Sequence, residues 1–133
     1  MLFGYLLEGN ENYFKQVRFV LKRSYDRGDQ LFTSCLAVGE VMAGGPNMSP
    51  AAQTALDVIQ EMGFTLLGFD QSCMETFSKL RSVSKLKAPD AVHLACAGAA
   101  GVDLFLTGDK ALLRKRPIVP GIQFIADFEH PPF

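Results

Sequence analysis

Lys87-Ala88-Pro89-Asp90-Ala91-Val92-His93-Leu94-Ala95, continued by Gly101-Val102-Asp103-Leu104-Phe105-Leu106-Thr107-Gly108-Asp109, is the stretch on which the fold turns. Pro89 and the small residues that run to Ala100 predict a helix over 88–100. Asp90 falls in its first turn, where a negative charge complements the exposed N–H groups of a helix start. Leu104 to Leu106 then read as a strand, Thr107 to Asp109 as a strand-to-helix turn, and 110–115 as a short helix.

The same alternation extends outward in both directions. Upstream, 2–8 has helical spacing and is broken by Gly9 and Asn10, and a second helix starts at Glu11. In that second helix Tyr13, Phe14, Val17, Val20, Leu21 and Tyr25 recur at three and four residues as a core face, and Gly28 ends it. Leu31 to Thr33 form a short strand. Ser34 caps a helix through Met42 that carries Glu40 at its middle and stops at Gly44-Gly45-Pro46. Ser49 and Pro50 open a helix to about Met62, Phe64 to Leu67 make a strand, and Asp70 caps a helix containing Met74, Phe77 and Leu80. A last strand covers Ile122 to Ile125. Strands separated by helices need crossover connections, so the expected architecture is a parallel sheet with helices on both faces and a ligand site beyond the carboxyl ends of its strands.

With 133 residues, 48% hydrophobic and 20% charged, the chain is expected to fold as one domain, 1–133. No apolar run is long enough to span a bilayer, and the first residues lack the basic start of a secretory signal, so a cytoplasmic location is expected. Cys35, Cys73 and Cys96 form no C-x-x-C unit and read as reduced, buried thiols. A net charge of −1 excludes a protein that grips nucleic acid with its whole surface, but 79–116 holds eight bases against Asp90, Asp103 and Asp109, a local charge of +5 that gives a polyanion a preferred side. Gly44-Gly45-Pro46 lacks the lysine of a phosphate-cradling loop, Ser34 has no nucleophile elbow, and a Cys96/His93 pair has no orienting acid. A phosphoacceptor receiver domain finds only a poor match at Leu66 to Asp70.

Three acids stand out: Glu40, Asp90 and Asp109. Each has an ordinary structural role available, as an exposed helical residue, a helix-start charge and a helix cap. Glu40, however, lies within Ala37-Val38-Gly39-Glu40-Val41-Met42-Ala43, otherwise apolar or small, where burial of a carboxylate requires a partner. Clustered carboxylates are driven toward protonation, whereas a divalent ion holds them ionised, and oxygen-only ligation suits Mg²⁺ or Mn²⁺. His93, three residues after Asp90 and on the same helical side, reads first as a hydrogen-bonded packing residue.

The two quoted segments resemble the C-terminal signature of PIN-domain ribonucleases, VapC-type toxins in particular. Thr33-Ser34 with Glu40-Val41 is similar to that family's second acidic motif. The resemblance implies a three-layer α/β PIN-like fold and an acidic cluster that binds Mg²⁺ or Mn²⁺ and hydrolyses RNA phosphodiester bonds. It carries Glu40, Asp90 and Asp109 into catalytic and metal-binding roles, with Thr107 orienting Asp109 and Ser34 supporting Glu40. Asp103 reads first as a turn residue. Lys87, Lys110 and Arg114 are expected to hold the RNA backbone. Implied partners are an RNA substrate and an antitoxin protein, with a homodimer contact on the first two helices.

The family opens on a hydrophobic strand ending in an aspartate, usually the central strand of the sheet. Here 1–10 resembles the helix that follows it, so the first strand and first catalytic aspartate are expected to lie upstream of Met1 or to be lost, and Glu8 falls too far along to replace that acid. An incomplete sheet would leave strand edges unpaired. The alternative reading is a catalytically impaired PIN-like module that binds a protein partner.

Overall fold

The computed structural model describes residues 11–127, with 11–18 and Ala51 described by backbone alone. The helix expected over 2–8 and the inward side chains Tyr13, Phe14 and Val17 therefore lie outside the described residues. Helix α1 (Glu11–Asp26) leads to strand β1 (Phe32–Ser34), helix α2 (Cys35–Met42), a 3₁₀ turn (Gly45–Asn47), helix α3 (Pro50–Glu61) and strand β2 (Thr65–Leu67). A second 3₁₀ turn (Gln71–Cys73) enters helix α4 (Met74–Ser82), followed by helix α5 (Ala88–Ala99), strand β3 (Leu104–Thr107), helix α6 (Lys110–Lys115) and strand β4 (Phe124–Asp127).

Local chemistry accounts for most boundaries. Ser34 and Ser49 each accept the backbone N–H three residues on, from Ala37 at 3.0 Å and Ala52 at 3.1 Å, which satisfies an otherwise unpaired donor at the starts of α2 and α3. Asp70 accepts from Ser72 N–H at 2.9 Å, and this opens a 3₁₀ turn rather than the α-helix expected there, α4 beginning only at Met74. The last strand begins at Phe124, two residues later than the expected Ile122, because Ile122 packs into the core while its N–H closes a turn on Val119 O.

The strands form two parallel pairs among the described residues, β1 with β2 in the register Thr33 to Leu66, and β3 with β4 in the register Phe105 to Ile125. Parallel strands in an α/β arrangement match the expected fold class. Among the described residues β1 and β3 each have one strand neighbour, and a cavity of about 380 Å³ is lined by Leu31, Phe32, Val102, Leu104 and Leu106.

Helix α5 is the centre of the packing. Ala91, Leu94, Ala95, Cys96 and Ala97 are all buried, and Leu94 joins Leu80, Leu86, Phe105, Leu112 and Val119 in one apolar cluster. Small residues on α5 let backbone approach backbone: a methyl group at Gly98 would run into the Pro120 carbonyl, and one at Gly121 (φ +91°) into the carbonyl of Gly98. A second cluster sets Val20 and Leu21 of α1 against Ala55, Val58 and Leu106. Tyr25, expected on that inward face, is 53% exposed at the last turn of α1. No helix among the described residues is long and apolar enough to cross a membrane.

Candidate metal centre

Each of the three acids reaches its place through a different local device. Asp109 follows β3 directly and caps α6, its Oδ1 accepting from Ala111 N–H at 2.9 Å and Leu112 N–H at 3.2 Å. The turn that presents it is closed by Thr107, 7% exposed, whose Oγ1 accepts the Asp109 N–H at 3.1 Å. Thr107 thus holds the Asp109 backbone, and the carboxylate is oriented by the helix it caps. Asp90 sits in the first turn of α5, behind Lys87 and Pro89, half-buried. Glu40 lies in the last turn of α2 and is exposed.

The exposure of Glu40 corrects the expectation that it is a buried charge in an apolar stretch. The helical period turns Ala37 and Val41 inward and leaves Glu40 outside, so desolvation supplies no argument at that position. That argument belongs to Asp90. Burial raises its pKa above the ordinary 3.8; the nearby Asp109 carboxylate raises it further and Glu40 adds to this, while Lys87 and Lys115 pull it down. Three acids far apart in sequence therefore share one electrostatic neighbourhood, with two ammonium groups at its margin.

These carboxylates do not form a closed cage. Among the described residues no three His, Cys, Asp or Glu side chains converge closely enough to hold an ion unaided. An open, mutually repelling set of hard oxygen donors still fits Mg²⁺ or Mn²⁺ by chemistry, since Mg²⁺ keeps several waters and takes only one or two carboxylates directly.

The basic residues divide into two kinds. Lys110, expected to contact RNA, is bonded to Asp127 Oδ2 at 2.9 Å, a pairing between α6 and β4 that sequence spacing does not reveal. Lys87 and Arg114 are exposed. Lys115 donates to Lys85 O at 3.0 Å, and Arg81 to Leu86 O at 2.9 Å, which ties the α4–α5 connection to α6. Lys85 (φ +58°) and Arg116 (φ +37°) are the two non-glycine residues with left-handed backbone among those described.

Ser34, fully buried, does more than cap α2: its Oγ lies 2.7 Å from His93 Nδ1 on α5. That contact spans 59 positions in sequence, so no local pattern announces it. Burial holds the His93 imidazole down to about 4, which leaves it neutral at physiological pH. Cys73 and Cys96 are buried, but Cys35, the first residue of α2, is exposed, contrary to the expectation of three buried thiols; all three are free. Burial pushes the Cys96 thiol up to about 12, which removes it as a nucleophile.

No curated protein and no solved structure matches the chain. The family model described as PIN domain matches residues 2–117, nearly its whole length, and spans α1 through α6 together with all three acids. With that match, the parallel strands crossed over by helices and the acid at the end of β3 acquire a common explanation: the chain belongs to the PIN domain family, a nuclease-type fold.

Proposed function

We propose that this protein is a metal-dependent ribonuclease of the VapC type, hydrolysing RNA phosphodiester bonds in the cytoplasm as the toxin of a toxin–antitoxin pair. The observation that carries the reading is the shared neighbourhood of Glu40, Asp90 and Asp109, in which Asp109 and Glu40 both resist ionisation of Asp90. A bound Mg²⁺ or Mn²⁺ supplies Lewis acidity toward a phosphoryl oxygen and acidifies water for attack. Glu40, Asp90 and Asp109 would hold the ion together with waters, and their repulsion would become attraction toward it. Lys87 and Lys115, whose ammonium groups act on Asp90, and the exposed Arg114 take the phosphates flanking the scissile bond. Lys110 joins them only by leaving Asp127. Phe19, 67% exposed, and Tyr25 offer an apolar contact on α1 for the antitoxin or a second copy.

The second reading, a PIN-like module impaired in catalysis that binds a protein partner, is favoured by one observation: no three acidic side chains close around an ion among the described residues. A labelled single-stranded RNA incubated with the chain and Mn²⁺ separates the two. The nuclease reading predicts cleavage that stops with EDTA and falls at least about a hundredfold in Asp90→Asn. No cleavage by the chain, with cleavage appearing once an upstream strand ending in aspartate is appended, assigns this chain to the impaired class. Cleavage that persists in Asp90→Asn contradicts the assigned site.

A further inference from the structure

The hydrogen bond between Ser34 and His93 joins the two helices that carry Glu40 and Asp90. Ser34 Oγ accepts the Ala37 N–H at 3.0 Å, so it is the capping atom of α2, six residues before Glu40. The same oxygen lies 2.7 Å from His93 Nδ1, one turn along α5 from Asp90. The hydroxyl has one proton and two lone pairs, so with one lone pair accepting from the backbone it still bonds Nδ1, as donor or as acceptor according to the ring tautomer. Among the described residues no other hydrogen bond between side chains links α5 to the start of α2, and the Ser34 end of the link is wholly buried.

We infer that His93 is a positioning residue of the acidic site: through Ser34 it fixes α2 against α5 and thereby sets the separation of Glu40 from Asp90. The inference rests on the metal-dependent reading above. A purely structural histidine would cost stability when replaced and leave ion binding per folded molecule unchanged. A positioning histidine changes ion affinity, and asparagine, whose side-chain amide sits near the place of Nδ1 and can donate or accept, restores it by bonding Ser34 again.

The test is Mn²⁺ titration of the metal-free full chain, below the unfolding temperature of each variant, for the wild type, His93→Ala, His93→Asn and Ser34→Ala. The expected result is Mn²⁺ affinity weakened about tenfold or more in His93→Ala and Ser34→Ala, and within about threefold of the wild type in His93→Asn. Wild-type affinity in a folded His93→Ala or Ser34→Ala protein overturns the positioning role alone. If His93→Ala fails to fold, Ser34→Ala and His93→Asn decide by the same criteria. Failure of the wild type itself to bind Mn²⁺ overturns both this inference and the reading on which it rests.

Discussion

At Asp90 and His93 the same physical effect, removal from water, acts on groups of opposite charge type. Burial disfavours the ionised form of each, so the carboxyl is raised and the imidazole lowered. For His93 the folded value of about 4 lies below the ordinary 6.5, so the unfolded chain binds the proton first as pH falls. The stability associated with the neutral ring is therefore complete above pH ~6.5 and is lost between pH ~6.5 and 4, a decline of roughly 3 kcal/mol. Denaturant unfolding at successive pH values checks this, and His93→Asn is expected to flatten that part of the profile. For Asp90 the raised value means that protons compete with an ion above the usual carboxylate range. In the metal-free protein, NMR titration is expected to place Asp90 above 3.8, with Asp109→Asn and Glu40→Gln lowering it and Lys87→Ala raising it. Both residues stood out in the sequence. What it did not reveal was exposure: Glu40 and Cys35 lie in an apolar-looking stretch, yet helical phase turns them to solvent.

At the scale of elements, helix starts were the most legible feature, because serine, aspartate and proline act on their own next few residues. Ser34, Ser49 and Asp109 cap where sequence places them, and α6 has the expected bounds. The ends of short strands were less legible, since tertiary pairing decides them, as in the two-residue offset of β4. Replacement of Ser34 by alanine removes the cap of α2 and leaves His93 Nδ1 without its partner, for an expected loss of about 2 kcal/mol by thermal or denaturant unfolding. Gly98→Ala is expected to cost about 2–3 kcal/mol, because α5 lies against the Pro120 carbonyl with no room for a methyl group and must shift. Unchanged stability in that variant would mean that α5 and the 119–121 loop are not in close contact.

Over the whole molecule, helices between parallel strands arrange residues from distant segments around α5, and the acids of α2 and of the end of β3 come within electrostatic reach of Asp90 on α5. The α/β class was legible from the order of elements. The Lys110–Asp127 pair was not, because it depends on α6 lying against β4. The basic rim carries a prediction at this scale. RNA affinity is expected to fall steeply with salt, and Lys87→Ala to reduce the slope of log affinity against log salt by about one, whereas Lys110→Ala, already engaged by Asp127, changes it less. Filter binding at several salt concentrations measures both. The proposed site requires three separated carboxylates to serve one ion, which calorimetric titration of Mn²⁺ into the metal-free chain addresses directly. One binding event, weakened at least about tenfold by each of Glu40→Gln, Asp90→Asn and Asp109→Asn, is the predicted result; wild-type affinity in any one of these folded variants would contradict it.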